Sequence, residues 1–173
     1  MNEVIKALIE RRSVRSYRPE TVKEEELAAI LNAGLYAPSG MNRQPVVTVA
    51  VTDKAIRDTL SAMNGAVLGQ NVDPFYGAPV VIVVLADVSR STTAIEDGCL
   101  VMQNLMLAAH SLGVGSCWIH RARQMFQTDE GKALLREWGL DGDYVGVGNC
   151  ILGYPADPIP GARERLSGRI VRI

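Results

Sequence analysis

What this sequence has little of narrows it first. Its 173 residues hold three cysteines, Cys99, Cys117 and Cys150, an odd number spread far apart, with no CxxC pair and two histidines. That excludes a disulfide framework, offers no His/Cys metal set, and points to a reducing compartment. Each cysteine lies in an apolar run, where a buried structural thiol is a simpler expectation than a nucleophile. No stretch approaches the ~18 apolar residues of a membrane span, and Glu3, Lys6 and Glu10 interrupt any leader-like run. The expectation is a cytoplasmic protein. An excess of charge is missing too: 18 Lys+Arg against 19 Asp+Glu leave a net charge of -1, which argues against wholesale attraction to nucleic acid. There is no internal repeat and no low-complexity segment. The length suits one domain over residues 1–173, able to bury its core without disulfides or metal.

The basic residues are concentrated locally instead. Arg11-Arg12-Ser13-Val14-Arg15 places three guanidiniums and a hydroxyl where the helical pattern of Val4, Ile5, Leu8 and Ile9 gives out. A guanidinium is a charged planar fork of donors that matches phosphate or carboxylate oxygens. A solvated basic helix end, which the helix dipole also favours, fits the same residues. Taken alone, the stretch suits that second reading better. If it holds an anion, the anion meets the unfavourable end of the dipole, so side chains and the following loop must supply the attraction.

The remaining chain reads in order. Asn2 is a plausible cap for a helix over residues 3 to about 11, and Thr21 with Glu24 has the form of a capping box for a helix through Leu27, Ile30 and Leu31. The stretch from Ala37 to Pro45 has prolines near both ends and Ser39, Asn42 and Gln44 between them, so it reads as a loop whose amides suit a heterocycle edge or merely solvent. Val46 to Val51 reads as a strand and Asp53 as the cap of a helix with Ile56, Leu60 and Met63. Asn64 to Ala78 reads as a long loop offering Asn64 and Asn71. The run from Val80 to Leu85 lacks polar alternation, which marks a central strand covered on both faces. A long helix from Ala94 to Leu112 follows, carrying Gln103, Asn104 and His110, then a short strand from Ser116 to Ile119 and the segment His120-Arg121-Ala122-Arg123. Gly113-Val114-Gly115 follows a helix and precedes a strand, the reverse of what a dinucleotide fingerprint requires, so a Rossmann site is rejected. Thr128 caps a further helix through Trp138, Val145 to Leu152 forms another strand, and an extended tail brings Arg163, Arg165 and Arg169 before the strand-like Ile170 to Ile173. This mixed order suits either an α/β or an α+β sheet.

Three motifs, coinciding in order and spacing, resemble the nitroreductase family of flavin mononucleotide (FMN) oxidoreductases from the first helix to the tail. They are Arg11 to Arg15, Ala37-Pro38-Ser39-Gly40-Met41-Asn42-Arg43-Gln44-Pro45, and Gln103-Asn104-Leu105 leading to Leu112-Gly113-Val114-Gly115-Ser116. The resemblance implies an α+β fold with a mainly antiparallel central sheet flanked by helices. It also implies an intertwined homodimer with two flavin sites at its interface, residues 154–173 reaching across to the partner. By position, Arg11, Arg12 and Ser13 would hold the FMN phosphate and ribityl chain with Arg165 or Arg169, and Arg15 would face the pyrimidine end of the ring. Pro38, Ser39, Gly40 and Asn42 would come from the other subunit, with Gln44 nearby. Backbone around Trp118, Ile119 and His120 would line the ring, and Asn64 or Asn71 would meet its edge. For Trp118 itself, core packing is the better expectation than stacking on the flavin.

The resemblance departs from the family at two points. Asn64 to Ala78 is too short for the long helical insertion that covers the site in many relatives, and Gly40 stands where a bulkier polar residue is usual, which implies room above the flavin. The implied activity is a ping-pong oxidoreductase that takes hydride from NAD(P)H and reduces a small acceptor such as a nitroaromatic or quinone. The flavin carries the chemistry, so no amino-acid nucleophile and no metal is needed. The alternatives are a specialised flavin enzyme of the same fold, dehalogenase-like or flavin-fragmenting, and a flavin-binding redox partner or sensor without NAD(P)H turnover.

Overall fold

The apolar run that begins at Val80 lacks alternation because helices cover both faces of its strand. The computed structural model describes residues 1–173, with four strands, β1 (Val46–Val51), β2 (Val80–Asp87), β3 (Gly115–Ile119) and β4 (Tyr144–Gly153), in the order β1-β2-β4-β3. Every pairing is antiparallel, which decides between the two classes that the element order left open: the fold is α+β. Six helices surround the sheet: α1 (Glu3–Glu10), α2 (Glu24–Leu35), α3 (Lys54–Leu68), α4 (Ala94–Ser111), α5 (Ala122–Gln127) and α6 (Asp129–Glu137). None is long and apolar enough to cross a membrane.

Successive side chains of a strand point to opposite faces, and β2 divides accordingly. Val80, Ile82 and Val84 pack with Leu27 and Ile30 of α2 and Met102 and Leu105 of α4. Val81, Val83 and Leu85 pack with Leu60 of α3, Phe75, and Met125 and Phe126 of α5. A fully buried Leu, Ile or Phe contributes about 1.5–3 kcal/mol, so two such layers make the sheet a rigid base for the loops. Asn104 of α4 is a satisfied polar group within this packing, donating to the Ala33 carbonyl of α2 at 3.0 Å.

Three expected caps form: Asn2, Asp53 and Thr128 accept from the backbone N–H of Ile5, Ile56 and Gly131 at 2.9, 2.9 and 3.0 Å. The capping box does not. α2 starts at Glu24 behind Lys23, without a side-chain cap, and Glu24, Glu25 and Glu26 meet the N-terminal dipole directly. The loop expected from Asn64 is shorter, because α3 continues to Leu68 and ends where Gly69 adopts a left-handed φ of 73°. α5, a helix of 6 residues, was not foreseen. Ile170 to Ile173 forms no strand, since it finds no strand to pair with in its own chain, and Ile170 is 82% exposed. α1 likewise buries none of its residues, and Val4, Ile5, Leu8 and Ile9 all face outward.

Candidate functional site

The arginine cluster is held against the outer edge of the sheet. α1 ends with the Arg11 N–H donating to the Ala7 carbonyl at 3.0 Å, and the chain then extends alongside β3. Ser13 bridges Ser116 in parallel, the Val14 N–H donates to the Ser116 carbonyl at 2.9 Å, and the Tyr17 hydroxyl donates to the Val14 carbonyl at 2.6 Å. Val14 is buried, and a Cβ on Gly115 would lie 3.0 Å from it, so a glycine there permits the close approach. With Val14 turned inward, Ser13 and Arg15 on either side of it are left to face outward.

The donors of this segment outnumber its acceptors. Arg12 Nη1 caps the end of α1 through the carbonyls of Ile9 and Arg11, at 2.7 and 2.6 Å. The Nε atoms of Arg11 and Arg12 are buried without any partner, and neither residue has a carboxylate within salt-bridge distance. A buried N–H without an acceptor costs about 1–3 kcal/mol, so two of them beside Ser13 fit a bound anion with several oxygens. Desolvation pushes the Cys150 thiol, one strand further in, up to about 12, so it is not a thiolate at neutral pH.

The Ala37 to Pro45 loop lies elsewhere. It contains one 3-10 turn, Gly40–Asn42, and puts Met41, Asn42 and Gln44 at left-handed φ values of 54°, 54° and 47°. Such residues persist only when their surroundings hold them, and here the polar groups do so. The Gly40 N–H donates to Asp97 Oδ1 at 3.1 Å, the Gln44 N–H to Ser39 Oγ at 3.1 Å, and Gln44 Nε2 to Asn42 Oδ1 at 3.0 Å. Pro38 is exposed at the rim, and the loop walls a cavity of about 180 Å³ together with Leu35, Thr48 and Val101. Within its own chain Gly40 is tightly packed: a Cβ would come within 2.3 Å of Thr93 Oγ1, which itself donates to Asp97 Oδ2. Asp97, nearly buried in the first turn of α4, is the anchor that sequence reasoning missed; an Asp in a helical first turn is too common to stand out.

The two asparagines separate. Asn64 is fully buried in α3, where its Nδ2 donates to the His120 carbonyl at 2.8 Å and its Oδ1 accepts from Arg121 Nε at 2.9 Å. It fastens the end of β3 and has no surface to offer a ligand. Asn71 is exposed in the loop after α3. Trp118 is half-buried against the α4 layer, with its Nε1 2.3 Å from where a Gly148 Cβ would stand, which supports core packing. Ile119 is buried and His120 exposed at the end of β3, followed by Arg121 at a left-handed φ of 79°. Arg165 and Arg169 lie in the exposed tail, outside any helix or strand.

Register places the two motif loops at opposite corners. Ser13 sits on Ser116, which pairs with Leu152, which pairs with Val80; the other loop enters β1 at Val46, which pairs with Ala86 of β2. Four strand spacings of ~4.8 Å across, from the Ser13 segment through β3, β4 and β2 to β1, and six residues of ~3.3 Å along put them roughly 28 Å apart on the diagonal. One small ligand cannot touch both within one chain.

Comparison with known proteins returns a consistent set. Residues 8–73 and 68–154 match the nitroreductase family model. The chain is 42% identical over 179 residues to an FMN reductase [NAD(P)H] of Bacillus subtilis, covering 91% of this chain and 68% of that protein. Its fold superposes with a TM-score of 0.90 at 29% identity on a nitroreductase with bound FMN from Bacteroides fragilis, over 100% of both chains. A second nitroreductase with bound FMN, from Desulfitobacterium hafniense, gives 0.89 at 28% identity over 100% of this chain and 99% of that one.

Proposed function

The chain belongs to the nitroreductase family, and from that premise we propose that it is an FMN-dependent oxidoreductase that takes hydride from NAD(P)H and reduces a small acceptor such as a nitroaromatic or quinone. The observation that carries this reading is the pair of buried, unpartnered Arg11 and Arg12 Nε–H groups beside Ser13, a donor set in need of a phosphate. When bound, FMN would supply the redox chemistry that links NAD(P)H to the acceptor. Arg11, Arg12 and Ser13 would hold its phosphate and ribityl chain with Arg165 or Arg169 from the tail. Arg15 sets a fixed positive charge at the pyrimidine end, where reduction builds negative charge. Of the two asparagines, Asn71 is the one with an amide free for the ring edge. Backbone from Trp118 to His120 lines the site.

Two copies of the chain complete it. The separation of roughly 28 Å between the motif loops supports a site in which Pro38, Ser39, Gly40, Asn42 and Gln44 reach the flavin held by Arg11 to Arg15 from a second subunit. The bare apolar face of α1 and the unpaired Ile170 to Ile173 support the same homodimer, with residues 154–173 as the arm that crosses over. The test is direct. The purified protein takes up FMN and turns yellow, NADH or NADPH bleaches it anaerobically, and a quinone or nitroaromatic restores the colour. Failure to bind FMN would overturn the reading, and bleaching by dithionite alone would point to a redox partner or sensor.

A further inference from the structure

The loop between α3 and β2 is held more tightly than its Gly, Asn, Asp and Pro content suggests. Asp73 accepts from Arg57 Nη2 and Ser61 Oγ, both at 2.6 Å, and from the backbone N–H groups of Phe75 and Gly77 at 2.9 and 2.7 Å. Arg57 is 8% exposed, donates again through Nε to the Ala78 carbonyl at 3.0 Å, and lies 5.5 Å from the ring centre of the fully buried Phe75. The outcome of this clamp is one strained residue. Tyr76 is left-handed at φ 54° and yet, as a residue, stays 45% exposed. A turn that had only to change direction would take Gly or Asn at such a position. The ring lies against Arg15, whose Cζ is 6.0 Å from its centroid, within reach of a cation–π contact. Arg15 has no carboxylate partner.

We propose that Tyr76 is a positioning residue for Arg15: the Asp73–Arg57 clamp aims the ring at the guanidinium and so fixes the cation that faces the pyrimidine end of the flavin. This rests on the placement of Arg15 given above. An exposed arginine without a neighbour samples many rotamers, which spreads its charge over a volume; a ring on one side removes much of that freedom. Burial opposes the charged form of Asp73, but the hydrogen bonds from Arg57, Ser61, Gly77 and Phe75 outweigh it and hold the carboxyl below its ordinary range. The clamp therefore stays intact at any working pH.

The experiment measures the midpoint potential and FMN affinity of the loaded wild type, Arg15→Gln, Tyr76→Phe, Tyr76→Ala and the double variant Arg15→Gln/Tyr76→Ala, with thermal unfolding as a check on the fold. Arg15→Gln and Tyr76→Ala should each make the flavin harder to reduce while FMN remains bound, because the phosphate contacts lie elsewhere. Tyr76→Phe, which keeps the ring, should match the wild type. The double variant should shift no further than Arg15→Gln alone, since Tyr76 acts through Arg15. An unchanged potential in Tyr76→Ala, or an equal added shift in the Arg15→Gln background, overturns the proposal with Arg15 still in place. If Arg15→Gln itself moves nothing, the placement of Arg15 is what fails, and the role of Tyr76 falls with it.

Discussion

Removing the Arg57 guanidinium strips Asp73 of its one cationic partner and leaves the Ala78 carbonyl without its donor. Asp73 keeps three other hydrogen bonds and part of its carboxylate reaches solvent, so Arg57→Ala should cost about 2–3 kcal/mol rather than the full value of a broken buried pair. Urea unfolding at neutral pH checks it. The same group has a pH signature. A carboxyl held below its ordinary value contributes stability that is complete above about pH 4 and lost as pH falls through the folded value. The gap in urea midpoint between wild type and Asp73→Asn should therefore narrow on acidification. Gly40→Ala tests the other loop. Its Cβ would displace Thr93 Oγ1 from Asp97, costing about 1–2 kcal/mol. Adding Thr93→Ala removes the collision, so the double variant should be no less stable than Thr93→Ala alone. The arginines were legible in the sequence because charge and spacing are written in it. Asn64 and Asn71 could not be told apart, because the difference between them rests on about one and a half further turns of helix, from Asn64 to Leu68. That turns on whether Gly69 or Asn64 ends α3.

At the scale of elements, the four strands were legible because β-branched apolar runs bounded by turns have few other uses; β1 spans Val46–Val51 as expected. α5 was not, since its 6 residues show too little periodicity and it begins after Arg121, whose left-handed backbone leaves no mark in the sequence. Its seat is set by a glycine on the strand beneath. A Cβ on Gly146 of β4 would stand 2.4 Å from the backbone carbon and oxygen of Ala122, atoms that no side-chain rotation can move aside. Gly146→Ala should therefore push α5 off the sheet and cost about 3 kcal/mol. Because Asn64 ties α3 to His120 and Arg121 just ahead of α5, hydrogen exchange at residues 120–127 should quicken before that of β2 does.

At the scale of the whole molecule, the question is why one chain carries the two loops of the proposed site so far apart. The Arg11 to Arg15 segment rides on β3, the Ala37 to Pro45 loop feeds β1, and β2 and β4 stand between them. Nothing local in the sequence announces that separation, because it depends on strand order rather than on any residue's type. In the proposed homodimer each flavin takes its phosphate donors from one subunit and its 38–44 contacts from the other, so complementation is required. A chain with Arg11→Ala and Arg12→Ala and a chain with Ser39→Ala and Asn42→Ala should each bind FMN poorly as homodimers. Unfolded together and refolded as a mixture, they form heterodimers in which one site collects all the substitutions and the other collects none. FMN titration of the mixed dimer, isolated by two affinity tags, should show one site of wild-type affinity per dimer, bleached by NAD(P)H. Sites assembled within single chains would leave every site in the mixture carrying one lesion, and no tight site would return.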